Sequence, residues 1–231
     1  MTAPSLWQRM LAYLEAGSQA LFGLFETRAP TETVVFSIAF IALAAKLAKA
    51  DGTVTRDEVT SFRRIFEIPP EEEANAARVF NLCRQETTGF ETYARQLSGV
   101  LAGTPNGDMH REDVLDGLFH IAVADGEYHD EEDAFLRRVA EVFGLHADVY
   151  LRLKARHVPE FYDPYSILGV AATVSLEELR AVRRHYVRNN HPDVLSSRGL
   201  PSEMIELANA RLASFNHAYD EIAQLKSRFE G

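Results

Sequence analysis

The chain has 231 residues, of which 46% are hydrophobic and 25% charged, and its formal net charge is -10. This composition is typical of a globular protein with a substantial core, and the length allows one large domain or two ordinary ones. The acidic balance argues against general binding to nucleic acid or anionic membranes, because such partners select basic surfaces. The single cysteine, Cys83, excludes an intramolecular disulfide and a zinc ribbon built from paired cysteines.

The N-terminal segment predicts an amphipathic helix from about Leu6 to Phe25, within a separate N-terminal region of residues 1–30. Its apolar positions are Trp7, Met10, Leu11, Leu14, Leu21 and Leu24. Such a stripe usually docks on the body of its own domain, and self-association or contact with a membrane surface are the alternatives.

The longest apolar run, from Val34 to Ala45, predicts a buried core helix. It is well short of the roughly 20 residues that a membrane-spanning helix needs. We therefore expect no transmembrane segment and a cytoplasmic location, with peripheral attachment to the inner membrane left open.

A pattern in residues 47–68 is repeated in residues 121–142. Each copy predicts an apolar helix that ends at Ala-Asp-Gly, then a short turn, then a second amphipathic helix. Thr55 in the first copy and Asp130 in the second are positioned to cap that second helix. Two duplicated helical hairpins predict an all-α, pseudo-symmetric bundle.

Four acidic residues of the repeat are candidate ligands for calcium or magnesium: Asp51, Glu58, Asp125 and Glu132. Their spacing does not match the D-x-[DN]-x-[DN]-G calcium loop, and turn and capping chemistry explains acidic residues at these positions without a metal. With its twin Asp-Gly turns, the duplication resembles the TerB-like domain over about residues 31–155. The resemblance implies a helical domain whose acidic residues bind divalent metal in some members.

Two prolines, Pro159 and Pro164, break the helical pattern. We predict a short linker at 154–163, a TerB-like helical domain at 31–157 and a second, smaller domain at 158–231.

The smaller domain is predicted to be a hairpin of two helices behind a short helical turn. Ser175, with Glu178 three residues later, forms a capping box that begins the first helix, and Pro192 ends it. The second helix is predicted from about Ser202 to Lys226. The expected apolar positions are Leu176, Leu179, Val182, Tyr186 and Val187 on the first helix and Leu207, Ala210, Leu212, Phe215, Ala218, Tyr219 and Ile222 on the second. Outside the first stripe lie four basic residues, Arg180, Arg183, Arg184 and Arg188.

Three sequence motifs follow one another in this domain, namely "DPYSILGV", "HPD" and "FNHAYDEI". Their order and spacing resemble the J domain of DnaJ co-chaperones. Together with the TerB-like region, residues 31–231 are similar to DjlA-type proteins. The resemblance implies a co-chaperone in the stress response that stimulates ATP hydrolysis by a DnaK-type (heat-shock protein 70) chaperone. The TerB-like region would recognise a client, a metal or another partner.

The resemblance assigns partner binding to His191, Pro192 and Asp193 and to the four arginines. It implies that Asp193 engages an arginine of the chaperone and that His191 sets the loop. Arg183 stands where the family usually has a tyrosine. We expect no enzyme and no required cofactor, because no nucleophile, phosphate loop or metal triad accompanies His191 and Asp193. Two alternatives stay open: a TerB-like metal-binding or scaffold protein whose basic helix binds another acidic partner, and a solvated arginine face beside a simple helix stop.

Overall fold

The computed structural model describes residues 5–15, 33–49, 60, 63, 68–85, 89–102, 107–191, 194 and 202–229. These residues form ten α-helices and two 3₁₀ turns, and no β-strand occurs among them. The predicted all-α class is therefore confirmed. The chain divides into two compact units, Met1–Leu145 and His146–Gly231.

The first unit is built around one apolar helix. Its helices in chain order are α1 (Leu6–Glu15), α2 (Thr33–Leu47), α3 (Glu73–Gln85), α4 (Phe90–Ala102), α5 (Gly107–Ala122) and α6 (Asp130–Phe143). The other five described helices of the unit all contact α2. Its side chains from Ile38 to Ala45 are all buried, as expected for a helix that is hydrophobic on every side. The prediction of a buried core helix is confirmed, and no described helix is long and apolar enough to cross a membrane.

The N-terminal helix α1 docks on its own unit through the predicted stripe. Trp7, Met10 and Leu11 are buried, and the helix packs against α2 and α3. An ion pair of 2.6 Å joins Glu15 to Arg78 of α3. The rest of the predicted helix, up to residue 25, lies outside the described residues. Self-association through it stays a prediction.

The second copy of the repeat forms the hairpin α5–α6. After α5 the chain turns at Gly126, whose φ of 89° is accessible to glycine without strain. The N-cap of α6 is His129, one residue before the predicted Asp130. The side chain of Glu132 accepts a hydrogen bond from the His129 backbone N–H at 2.9 Å and so takes over part of the capping. The turn of the first copy lies outside the described residues.

The described residues of the second unit form four α-helices. They are α7 (Ala147–His157), α8 (Pro164–Leu168), α9 (Leu176–Asn190) and α10 (Ser202–Phe229). The carboxylate of Asp163 caps α8 by accepting bonds from the backbone N–H groups of Tyr165 and Ser166. The predicted capping box begins α9: the Glu178 N–H donates to Ser175 Oγ at 3.2 Å, and the Ser175 N–H donates to Glu178 Oε2 at 2.8 Å.

The core of this unit lies between α8, α9 and α10 and includes one residue of α7. Its buried members are Ala155, Ile167, Leu168, Val174, Leu179, Phe215, Ala218 and Ile222. One apolar prediction on α10 is wrong, since Ala210 is exposed whereas Ala208 is buried. The helix α7 belongs to this unit, although it precedes residue 158. The predicted domains, 31–157 and 158–231, stay a prediction.

Candidate partner-binding surface

The basic helix α9 is fixed at its start. The exposed Glu178 has its pKa lowered, first by the hydrogen bond from the Ser175 backbone and then by the Ser175 side chain. A carboxylate that accepts such bonds also lies favourably at the positive end of the helix dipole. The first turn of α9 is therefore held independently of any partner.

Three side-chain contacts join α9 to the antiparallel helix α10. The Arg183 guanidinium lies over the Tyr219 ring at 4.5 Å. The rings of Tyr186 and Phe215 stack in parallel, with their centroids 3.7 Å apart. Closest to the end of α9, Arg211 Nη2 donates to Asn190 Oδ1 at 2.9 Å. We call these three contacts the rungs of the hairpin, because they follow one another along both helices.

Three of the four predicted arginines form one exposed row. Arg180, Arg184 and Arg188 are exposed and spaced four residues apart, which places them on one side of the helix. Within the described part of the chain, none of the three forms an ion pair. Arg183 differs, because it is partly buried and stacks on Tyr219. The structure therefore brings three of the predicted arginines together as a free cationic surface and places the fourth in the hairpin contact.

His191 is the C-cap of α9 and is exposed. It follows Arg188 by three residues and Arg184 by seven, so the arginine row leads along the helix towards it. Its carbonyl accepts a hydrogen bond from the Val194 N–H at 2.9 Å. That bond joins the residues on either side of Pro192 and Asp193, which lie outside the described residues.

The two candidate metal residues that the structure describes, Asp125 and Glu132, make local hydrogen bonds. Asp125 Oδ1 accepts from the Glu127 N–H at 3.0 Å, and Glu132 is 3% exposed and bonded to the His129 N–H. Among the residues that the structure describes, no group of three or more histidine, cysteine or acidic side chains could hold a metal ion. Asp51 and Glu58 lie outside the described residues, so metal binding by the set stays a prediction.

Sequence reasoning gave no role to Asn190 or Arg211. Both are buried, with exposed fractions of 8% and 3%. The sequence does contain an indication that Arg211 is buried, because this residue lies in the apolar stripe of α10, midway between Leu207 and Phe215. A charged residue at such a position requires a buried polar partner.

Comparison with known proteins gives a family and a set of relatives. The model of the family "Tellurite resistance protein TerB" matches residues 37–155. The Co-chaperone protein DjlA of Vibrio cholerae is 25% identical to the chain, across 92% of the chain and 85% of the relative. That of Photobacterium profundum is 25% identical (89% and 83% covered), and that of Escherichia coli 24% identical (87% and 83%). No solved structure matches the chain significantly. These relatives support a DnaJ-type co-chaperone role. The chain belongs to the TerB family through residues 37–155, and over nearly its whole length it is DjlA-like.

Proposed function

We propose that the chain docks through α9 on a DnaK-type chaperone and stimulates ATP hydrolysis by that chaperone. The observation that carries this proposal is the exposed row of Arg180, Arg184 and Arg188, which leads to His191 at the C-cap of α9. The three sequence motifs of the J domain and the similarity to DjlA co-chaperones support it.

The charge distribution favours an acidic partner that binds in one orientation. The chain has a net charge of -10, so most of its surface repels a negatively charged protein, whereas the arginine row attracts it. Such a row mainly accelerates encounter and fixes orientation, and its effect weakens with added salt. The rungs fix α9, which carries the row, against α10 before the partner binds. This lowers the conformational entropy that is lost on binding.

The stimulating contact is assigned to the loop after α9. In this proposal Asp193 engages an arginine of the chaperone, His191 contacts the same surface, and Pro192 restricts the backbone between them. The hydrolysis takes place on the chaperone, so the chain is a non-enzymatic regulator. The TerB region supplies recognition of a client or of a further partner.

Single-turnover ATP hydrolysis by a DnaK-type chaperone tests this proposal. Wild-type protein should raise the rate, whereas Asp193→Asn and His191→Gln should leave it at the basal value with unchanged helical circular dichroism. Asp220→Asn is the matched control, because it removes the same charge from an exposed position of α10. It should stimulate like the wild type.

Two results would contradict the proposal. A folded wild-type protein that fails to stimulate a cognate chaperone would reassign the arginine row to another acidic partner. Full stimulation by Asp193→Asn would show that the loop does not carry the activity.

Divalent metal binding by Asp51, Glu58, Asp125 and Glu132 is a separate prediction. The bonds that Asp125 and Glu132 make to the backbone favour the capping interpretation. Titration calorimetry with calcium or magnesium chloride decides between them. Heat of binding that Asp125→Asn abolishes would establish a metal site, and no heat at millimolar metal would leave capping as the role of these residues.

A further inference from the structure

A buried polar contact lies at the end of α9, directly before His191. Asn190 is the last residue of the helix, and its Nδ2 donates to the Tyr186 carbonyl at 2.8 Å. Its Oδ1 accepts from Arg211 of α10 at 2.9 Å. The amide group of Asn190 is thus held on two sides, once by its own helix and once by the neighbouring one.

Stability alone does not account for this contact. Taking an arginine out of water costs free energy, and well-packed apolar residues often replace buried ionic or polar sets without loss of stability. A hydrogen-bonded contact differs from an apolar contact chiefly in being directional. A hydrogen bond fixes the distance and the angle between two groups, whereas apolar side chains can slide past one another.

The place of this hydrogen bond in the hairpin indicates which part of the structure it holds in position. From the Tyr186–Phe215 stack, four residues forward along α9 lead to Asn190, and four residues back along α10 lead to Arg211. This rung is the last before residues 191–201 and lies next to the C-cap His191. It therefore fixes the position of the final turn of α9 against α10, and with it the position from which His191 projects.

We propose that Asn190 and Arg211 are positioning residues, which hold the last turn of α9 so that His191 is presented to the partner in one geometry. This inference rests on the proposed co-chaperone function. It assigns docking and stimulation to different parts of the hairpin: the arginine row sets affinity, and the Asn190–Arg211 rung sets the stimulated rate.

The double variant Asn190→Leu/Arg211→Met separates positioning from stability. Both replacements are apolar and similar in size to the residues they replace, so the fold should be kept while the directed bonds are lost. Thermal unfolding should stay near the wild-type temperature. The maximal stimulated rate should fall about tenfold, in line with the loss of a charge-assisted hydrogen bond. The protein concentration at half-maximal stimulation should change much less, because the arginine row is intact.

Lys226→Met is the matched control. It removes a cation whose Nζ donates to the Ala172 carbonyl at 3.3 Å, at the end of α10 away from residues 191–201. It should stimulate like the wild type. Should the double variant not fold, Arg211→Met alone serves in its place, since it removes the buried cation together with the bond across the hairpin and leaves Asn190 bonded to Tyr186. The same loss of maximal rate is expected.

The outcomes separate this inference from the proposed function. A folded double variant, or a folded Arg211→Met, with the wild-type maximal rate would overturn the positioning role and leave the co-chaperone function intact. A loss confined to the half-maximal concentration would also overturn it. A wild-type protein that does not stimulate would instead refute the function itself.

Discussion

The hairpins α5–α6 and α9–α10 are built alike but place their polar groups in opposite ways. In the first hairpin, four polar or ionisable side chains are buried, namely His110, Asp113, Asp116 and Glu132. In the second, three arginines stand exposed in a row, and among the side chains that the structure describes there, the buried polar ones are those of the rung, Asn190 and Arg211. A short turn joins the first pair of helices, whereas residues 191–201 separate the second pair.

This difference separates stability from recognition. A buried polar group costs free energy unless it is bonded, so its partners tie it to one packing arrangement. An exposed cation contributes little to stability and remains available to an outside partner. The comparison therefore predicts that charge changes in α6 affect folding, whereas charge changes on the exposed face of α9 affect binding.

The largest effect is expected from Phe215→Ala in the second hairpin. Phe215 is 1% exposed and stacks on Tyr186, and removal of such a side chain costs about 3–5 kcal/mol. In thermal unfolding, the midpoint temperature of the second unit should fall strongly. The equivalent change Phe119→Ala, at a fully buried position of α5, should cost the first unit a similar amount. A much smaller loss in one hairpin would show that the two differ in core packing as well as in charge.

The next largest effect is expected from Glu132→Ala in the first hairpin. The change removes the acceptor of the His129 N–H at the start of α6 and leaves that donor without its bond. We expect a loss of about 1–3 kcal/mol in the free energy of unfolding, measured by urea denaturation. A cost below about 0.5 kcal/mol, typical of surface positions, would remove the contrast with α9.

A smaller effect is expected from Ser175→Ala at the start of α9. Loss of this N-cap should cost about 1 kcal/mol, also measured by urea denaturation. Thr173→Ala, at an exposed position outside the helix, is the control and should change little.

The same cap predicts a dependence on pH. The pKa of Glu178 is lowered in the folded state, so its stabilising effect is complete above the ordinary glutamate pKa of about 4.3 and is lost as the pH falls through the lower folded value. Wild type should exceed Glu178→Gln in stability at neutral pH, and the two should converge in acid. If the difference in stability between wild type and Glu178→Gln stayed constant from neutral to acidic pH, that result would contradict the role of the carboxylate.

The smallest effect on stability is expected from Arg184→Ala. Its side chain is exposed, so the free energy of unfolding should change by less than about 0.5 kcal/mol. The concentration needed for half-maximal stimulation of the chaperone should nevertheless rise, and the difference should shrink as salt is added. A stability loss like that of Glu132→Ala, with unchanged stimulation, would reverse the proposed division between the hairpins.

Much of the fold could be predicted from local patterns. The all-α class, the buried helix α2 and the Ser175–Glu178 capping box depend on residues close in sequence, and the structure confirms them. The cap of α6 was misplaced by one residue, because His129 precedes an acidic first turn in which several residues suit a cap. The apolar stripe of α10 was wrong at Ala210, since alanine is small enough to tolerate either environment.

The candidate site was predictable only in part. The spacing of Arg180, Arg184 and Arg188 already places them on one face, whatever the helix packs against. The separate place of Arg183 depends on Tyr219, which is far away in sequence and reaches it only when the hairpin closes. Asn190 and Arg211 are equally remote from each other, so neither could be paired by reading along the chain.

By itself, the sequence determined the all-α class, the buried helix α2, the capping box of α9 and the spacing of the arginine row. Each of these depends on the periodicity of one helix or on bonds within a few residues. The tertiary structure decided which basic side chains remain free and which join the hairpin, because burial and cross-helix contacts arise only when α9 packs on α10. It also decided the register of that packing, through the stacking of Tyr186 on Phe215 and the directed bond between Asn190 and Arg211.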